Sequence, residues 1–285
     1  MALIECVELT HTYLKDTPME TEALRGITLS IDEGEFAGII GPTGSGKSTL
    51  IQHFNALLRP TSGTVRVGGV DIKDPKADLR AIRRQVGLIF QYPEHQLFEE
   101  TVFEDVAFGP RNLSLPDDEV KDRVEDSLRA VGVDPQKFGH RSPFSLSGGE
   151  MRRVAIAGVL AMAPRVLVLD EPAAGLDPQG KAEILSRIRD LHESRHLTVI
   201  LITHNMDEAA QLARRLIVLN KGKVAMDGPV RAVFARAEEL RAMGLDAPAI
   251  TALLQRLRQR GIPVRADAVT PDEARRTIKE ALAWN

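Results

Sequence analysis

Gly41–Thr49, read GPTGSGKST, is a run suited to phosphate chemistry. Gly41, Gly44 and Gly46 let successive backbone N–H groups point inward past Pro42, Thr43 and Ser45. Lys47 brings a point charge to the outer phosphates of a nucleotide, Ser48 a hydroxyl for Mg2+, and Thr49 leads into the next element. The run follows the apolar FAGII and precedes LIQHFNALL, the strand–loop–helix setting that a G-x-x-x-x-G-K-[ST] pattern requires. The helix N-terminus there adds the positive end of its dipole. A glycine-rich turn that merely joined strand to helix would have no need of the GKS ending.

Further along, VLVLDEP ends an apolar run in two adjacent carboxylates, Asp170 and Glu171. A metal-bound nucleotide needs one carboxylate to orient Mg2+ and one group to position or activate the attacking water. Asp170 suits the first role and Glu171 the second. Two acids capping the next helix is the plain alternative, and beside a phosphate loop it is the weaker one. A third segment, LSGGEMRRVAIAGVLAM at 146–162, places Ser147, Gly148 and Gly149 at the start of a long helix, a second anion-grade N-terminus. One phosphate loop with two such helix starts suggests that the second serves a nucleotide held by another subunit. An ordinary serine cap with glycines for close packing remains the alternative.

These residues need a scaffold, and the chain supplies an α/β pattern. Short runs rich in Val, Ile and Leu recur at 36–40, 86–90, 166–170, 197–203 and 215–220, with helical periodicity between several of them. That predicts βαβ units and a mainly parallel sheet covered on both faces. TLSIDEG and GTVRVGGVDI alternate and are turn-rich, as antiparallel strands are. After Gly228 the chain turns to charged, helix-forming segments broken by GLDAP and RGIPV, so residues 1–228 and 229–285 are expected to form a main domain and a small helical module. Within the module, Ile250, Leu253, Leu254 and Leu257 form an apolar stripe.

Composition narrows the classes. The 285 residues are 43% hydrophobic and 27% charged, with net charge −3 and both signs mixed, so no basic field of the nucleic-acid-binding kind is present. The single cysteine, Cys6, excludes an intrachain disulfide, fits a reducing cytosol and reads as a small strand residue. No apolar run approaches the ~18–20 residues of a membrane span, and the N-terminus lacks a signal-peptide pattern.

GPTGSGKST, LSGGE, VLVLDEP, AGLD (Ala174–Asp177) and LITH ending in His204 follow in the order of an ATP-binding-cassette (ABC) ATPase, which the chain resembles over roughly residues 3–235. The resemblance implies a fold with a mainly parallel core sheet, an antiparallel β subdomain and a helical subdomain at about 92–160. It also implies a head-to-tail dimer that sandwiches two ATPs between one subunit's phosphate loop and the other's signature helix. Tyr13 would stack on adenine, Asp177 would couple the two sites, and His204 would hydrogen-bond the γ-phosphate or the attacking water. The pattern departs from the family at Glu150, where Gln is usual. Facing inward, this carboxylate would repel the partner's triphosphate; pointing away, it would serve as the helix's first-turn acid.

Gln91 falls where the family has its Q-loop, which reaches toward Mg2+ while the following loop contacts a membrane partner. Tyr92, Leu97, Phe98, Val102, Phe103 and Phe108 would supply docking area there, although some belong to the subdomain's own core. QYPEHQLFEETVFEDVAFGP, MRRVAIAGVLAM and EPAAGLDPQG further resemble the ATPases of energy-coupling-factor (ECF) transporters, and within them the second of two paralogues. That implies an ATPase driving import of vitamins or transition-metal ions from the cytoplasmic face of the cell membrane. Its partners would be a second cassette ATPase (a heterodimer rather than a homodimer), a transmembrane coupling subunit and a substrate-binding membrane subunit, with no nucleic acid. Residues 229–285 would be the helical extension that holds the two ATPases together, and Trp284 in it would report on that interface. The rivals are an ATPase of another importer or exporter and a soluble cassette ATPase of DNA repair or translation, which usually carries insertions or tandem cassettes. HESRH, His192–His196, matches a zinc-protease pattern, but its second His abuts the strand LTVILIT and is expected to fall in a turn.

Overall fold

Ala2–Tyr13 (β1) and Thr21–Asp32 (β2) are twelve-residue strands that pair antiparallel. Phe36–Ile40 (β3) follows with all five residues buried, and it delivers the chain to the phosphate loop and helix Lys47–Phe54 (α1). Ser62–Val67 (β4) and Val70–Asp71 (β5) return to the first pair, giving an antiparallel sheet of order β2-β1-β4-β5. Helix Leu79–Gln85 (α2) then leads into Val86–Ile89 (β6). The computed structural model describes residues 2–282; Met1 and 283–285, including Trp284, lie outside the described residues.

The helical subdomain comprises Val102–Asn112 (α3), Asp117–Ala130 (α4), the short Pro135–Phe138 (α5) and Gly148–Leu160 (α6). Thr101 caps α3 and Asp134 caps α5, each by accepting a backbone N–H. Val166–Asp170 (β7), Pro178–Arg195 (α7), Thr198–Ile202 (β8), Met206–Leu212 (α8), Arg215–Asn220 (β9) and Lys223–Pro229 (β10) complete the main body. The second sheet has the order β10-β9-β3-β8-β7-β6. Every neighbouring pair from β9 to β6 is parallel, and β10 joins its edge antiparallel.

The parallel strands are apolar along their interiors because each face has its own core. Leu167, Leu169, Val199 and Leu201 point to the side of α3, α4 and α6, whereas Val166, Val168, Ile200 and Ile202 point to α1 and the antiparallel sheet. The period of two along a strand sends alternate residues to opposite cores, so polar side chains such as Thr198, Asp170, Arg215 and Asn220 are confined to the strand ends. Complete burial of such side chains contributes about 1.5–3 kcal/mol each, which fixes the strand ends from which the site is built. Cys6 is buried in the second of these cores, and burial, with Glu5 adding to it, pushes its thiol up to about 12, so it carries no thiolate chemistry.

Val230–Ala235 (α9) and Ala237–Ala242 (α10) pack Val233, Phe234 and Leu240 into the main core. Ala249–Gln259 (α11) and Pro271–Ala281 (α12) form a separate small cluster around Leu254, Val264, Ala268 and Ala274. Ile250 and Leu257 join that cluster, while Leu253 lies exposed. The Ala249 N–H donates to Asp207 of α8 at 3.0 Å, and Arg231 of α9 pairs with Glu273 of α12. His196 sits past the end of α7 in the left-handed region, and His192 turns Nδ1 to the Leu197 carbonyl at 2.9 Å. The two histidines of HESRH therefore do not share a helix face.

Candidate active site

The phosphate loop runs from β3 to α1 around backbone that only glycine tolerates. Gly46, at φ 101°, is the N-cap of α1, and a Cβ there would lie 2.7 Å from the Ala23 carbonyl oxygen. No side chain caps α1 and no acid occupies its first turn, so its N–H groups remain available to an anion. Lys47 curls back over the loop, donating from Nζ to the carbonyl oxygens of Gly41 at 2.6 Å and Pro42 at 3.0 Å. Burial pulls the Lys47 ammonium below its ordinary value, while Asp170 and Glu171 oppose the shift.

Asp170 ends β7 facing α1, and the Ser48 hydroxyl donates to its Oδ2 at 3.3 Å. Burial, followed by the neighbouring Glu171 charge, raises Asp170 above the usual carboxylate value, with Ser48 and Lys47 acting in the other direction. A desolvated carboxylate beside a hydroxyl is an oxygen donor set suited to a hard divalent cation. No group of three or more His, Cys, Asp or Glu is arranged to hold a metal ion by itself among the described residues. The protein thus offers part of a coordination sphere, the arrangement in which Mg2+ takes its remaining ligands from phosphates and water.

Glu171 is the centre of a second arrangement. Its backbone lies in the left-handed region at φ 51°, and its N–H donates to the Ile202 carbonyl of β8 at 2.9 Å. Its two carboxylate oxygens have separate partners: Gln91 Nε2 donates to Oε2 at 3.1 Å, and His204 Nδ1 lies 2.9 Å from Oε1. Gln91, Glu171 and His204 come from three strand ends and converge on one carboxylate, with His204 exposed. The segment after His204 is pinned by Glu208, which accepts from the Thr203 hydroxyl at 2.7 Å and pairs with Lys181 of α7 at 2.5 Å.

Tyr13, at the end of β1, is part-exposed and its hydroxyl lies 3.1 Å from Thr49 Oγ1. Its ring meets His11 edge to face, and His11 meets the buried His53 in the same way, so an aromatic column joins Tyr13 to α1. Burial pushes His53 down to about 4, which keeps it neutral. The start of α6 lies apart from these groups, at a cleft of about 520 Å³ lined by Ser147, Gly149, Glu150, Leu176, Asp177 and Gly180. Ser147 and Glu150 form a reciprocal capping box: the Ser147 N–H and hydroxyl donate to Glu150 Oε2 at 2.8 and 2.7 Å. Glu150 is thus the first-turn acid of its own helix. Asp177 caps α7, accepting the Gly180 N–H at 2.7 Å.

Around the Gln91 loop the aromatics divide. Leu97 and Val102 are core, whereas Tyr92, Phe98 and Phe108 are exposed, with Phe98 edge-on to Phe108 at 5.0 Å. Phe144, exposed between α5 and α6, carries no sequence pattern that singles it out. Arg152 is the residue that motif reading misses: it is 1% exposed inside α6, yet each of its guanidinium nitrogens is hydrogen-bonded. Its phase was a legible signal, because it shares the buried i, i+4, i+8 stripe with Ile156 and Leu160.

Comparison with known proteins agrees with this geometry. The family described as "ABC transporter" matches residues 24–174. The chain is 52% identical over 279 residues to "Energy-coupling factor transporter ATP-binding protein EcfA2" of Caldanaerobacter subterraneus, covering 98% of this chain and 97% of that one. It is 56% identical to the protein of the same name from Symbiobacterium thermophilum, covering 96% and 95%. Among solved structures, cbiO1 of Clostridium perfringens, part of the ABC transporter complex cbiONQ, superposes with a TM-score of 0.76 at 35% identity over 91% of this chain and 98% of that one. The dimeric ABC transporter cassette MJ0796 superposes at 0.70 with 32% identity, over 80% and 98%. The chain therefore belongs to the ABC transporter family and, within it, to the energy-coupling factor transporter ATP-binding proteins.

Proposed function

We propose that the chain is the ATP-hydrolysing subunit of an energy-coupling factor importer of micronutrients, with Glu171 as the base for water attack on the γ-phosphorus. The observation that carries the reading is the single carboxylate held between the Gln91 amide and the His204 imidazole, beside the Lys47–Ser48–Asp170 end of the phosphate loop. Lys47 and the α1 N-terminus bind the phosphates, and Tyr13 presents its ring to the adenine. Ser48 and Asp170, with Gln91 from the side, would hold Mg2+, which when bound neutralises the charge that develops on the transferred phosphoryl group. Glu171 takes the proton of the attacking water, ADP leaves with the electrons of the broken P–O bond, and His204 orients the carboxylate or the γ-phosphate.

Ser147, Gly148 and Gly149 serve a second ATP across a head-to-tail dimer, with Asp177 between the two sites. The partner is a paralogous cassette ATPase, the exposed Tyr92, Phe98 and Phe108 dock a transmembrane coupling subunit, and segment 229–285 helps hold the ATPases together. No helix among the described residues is long and apolar enough to cross a membrane, in keeping with a peripheral place on the cytoplasmic face. Co-purification from native membranes in mild detergent tests this reading. Recovery of a second cassette ATPase with two small membrane proteins is the expected result; recovery without any membrane subunit would overturn the transport role while leaving the nucleotide site standing.

A further inference from the structure

Arg152 is the largest fully buried side chain among the described residues, and it is charged. Its guanidinium forms a two-pronged pair with Glu94, Nε to Oε2 at 3.0 Å and Nη2 to Oε1 at 2.7 Å. Nη1 donates to the carbonyl oxygens of Pro172 at 3.0 Å and Ala174 at 2.6 Å. Glu94 belongs to the short 3-10 turn three residues beyond Gln91, and Pro172–Ala174 is the turn directly after Glu171. The Ala174 N–H closes that turn on the Glu171 carbonyl at 3.1 Å. Burial alone would raise Glu94, but the Arg152 guanidinium, helped by a backbone N–H and the nearby His95, holds the carboxyl below its ordinary value. The ring of Tyr92 faces the same guanidinium at 5.8 Å.

One side chain on the signature helix therefore grips both segments that carry the Gln91–Glu171 contact. Stability alone gives no reason for this arrangement, since well-packed apolar residues commonly replace a buried ion pair without loss. A planar fork with fixed donor directions instead imposes a distance and an angle on the groups it joins. The neighbouring Arg153 lacks this reach: it pairs with Glu183 of α7 at 2.9 Å, outside the catalytic turn.

We infer that Arg152, with Glu94, is a positioning residue that locks the signature helix to the Gln91 loop and the Glu171 turn. A shift of α6 caused by ATP bound against Ser147–Gly149 then moves the Gln91–Glu171 pair of this chain's own site. The inference rests on the hydrolytic reading above. It makes Arg152 a determinant of turnover that does not touch nucleotide.

The test uses the assembled membrane complex carrying Arg152→Lys, Glu94→Gln, the double variant or, as a reference, Glu171→Gln. Lysine keeps the charge but loses the fork. The expected result, measured well below each variant's lowered melting temperature, is a fall in kcat on the order of tenfold to a hundredfold for Arg152→Lys and Glu94→Gln, with KM for ATP nearly unchanged. The double variant should be no slower than the slower single one, because both break one linkage. Normal turnover in Arg152→Lys, a loss that disappears well below the variant's melting temperature, or additive losses would each overturn the inference. Should Glu171→Gln itself turn over normally, it is the hydrolytic reading that fails, and the inference falls with it.

Discussion

Two helices in this chain begin at glycine-rich turns, and they begin in opposite ways. At α1 the N-cap is Gly46 in a left-handed conformation, with no side-chain cap and no acid in the first turn. At α6 the cap is Ser147, and Glu150 bends back to accept both its N–H and its hydroxyl. The first start leaves its donors free and is ready for an anion before any ligand arrives. The second satisfies the donors of Ser147 and the Glu150 N–H itself, so a phosphate approaching Ser147 competes with a carboxylate already in place. A glycine-rich helix start is thus a backbone opportunity, and the side chains around it decide whether it is open or closed.

The largest expected effect separates binding at α1 from chemistry beside it. Glu171→Gln should cut ATP turnover by about 10²–10⁴-fold while nucleotide affinity, measured by calorimetry, stays within a few-fold. Next comes the contrast between the two starts themselves. Lys47→Ala should weaken ATP binding to the isolated chain by about ten- to a hundredfold, whereas Ser147→Ala, at the self-satisfied start, should leave it unchanged; equal losses would dissolve the distinction.

Stability distinguishes the two starts on a smaller scale. Gly46→Ala places a Cβ against the Ala23 carbonyl at φ 101° and should cost about 1–3 kcal/mol. Gly149→Ala meets nothing within 4 Å, sits inside a helix, and should add about 0.4–1 kcal/mol. Thermal melts of the two variants should move in opposite directions. The smallest effect is that of pH. Hydrogen bonds from the Ser147 hydroxyl and N–H hold Glu150 below its ordinary value of 4.5. Its contribution is therefore complete above that value and lost as pH falls through the lower folded value. Amide exchange at the start of α6 should accelerate on acidification below about 4.5, while the start of α1, with no acid in its first turn, should not respond to Glu150 in that window.

The open start was legible in the residues because glycine, lysine and serine at fixed offsets leave few alternatives. The parallel strands were equally legible, since burial on both faces demands unbroken apolar runs such as VLVLD. Sequence also anticipated the HESRH break, as a histidine abutting a strand must leave its helix. The long reach of β1 as a strand, and the sheet order that brings Gln91, Glu171 and His204 to one carboxylate, were not readable in the same way. Spacing along the chain says nothing about which strand ends become neighbours. The Arg152–Glu94 pair, 58 residues apart in sequence, is hidden for the same reason, and Glu150's direction depends on a rotamer that residue type does not determine.

Glu171 carries its carboxylate on a backbone conformation that a residue with a Cβ adopts only at some cost, roughly 1–3 kcal/mol. Glycine at 171 would relax that position and strip out the carboxylate held by both Gln91 and His204. Selection for heat resistance and selection for turnover therefore pull this single position in opposite directions. A library screened for melting temperature alone would be expected to enrich its stabilised, inactive variants at residue 171.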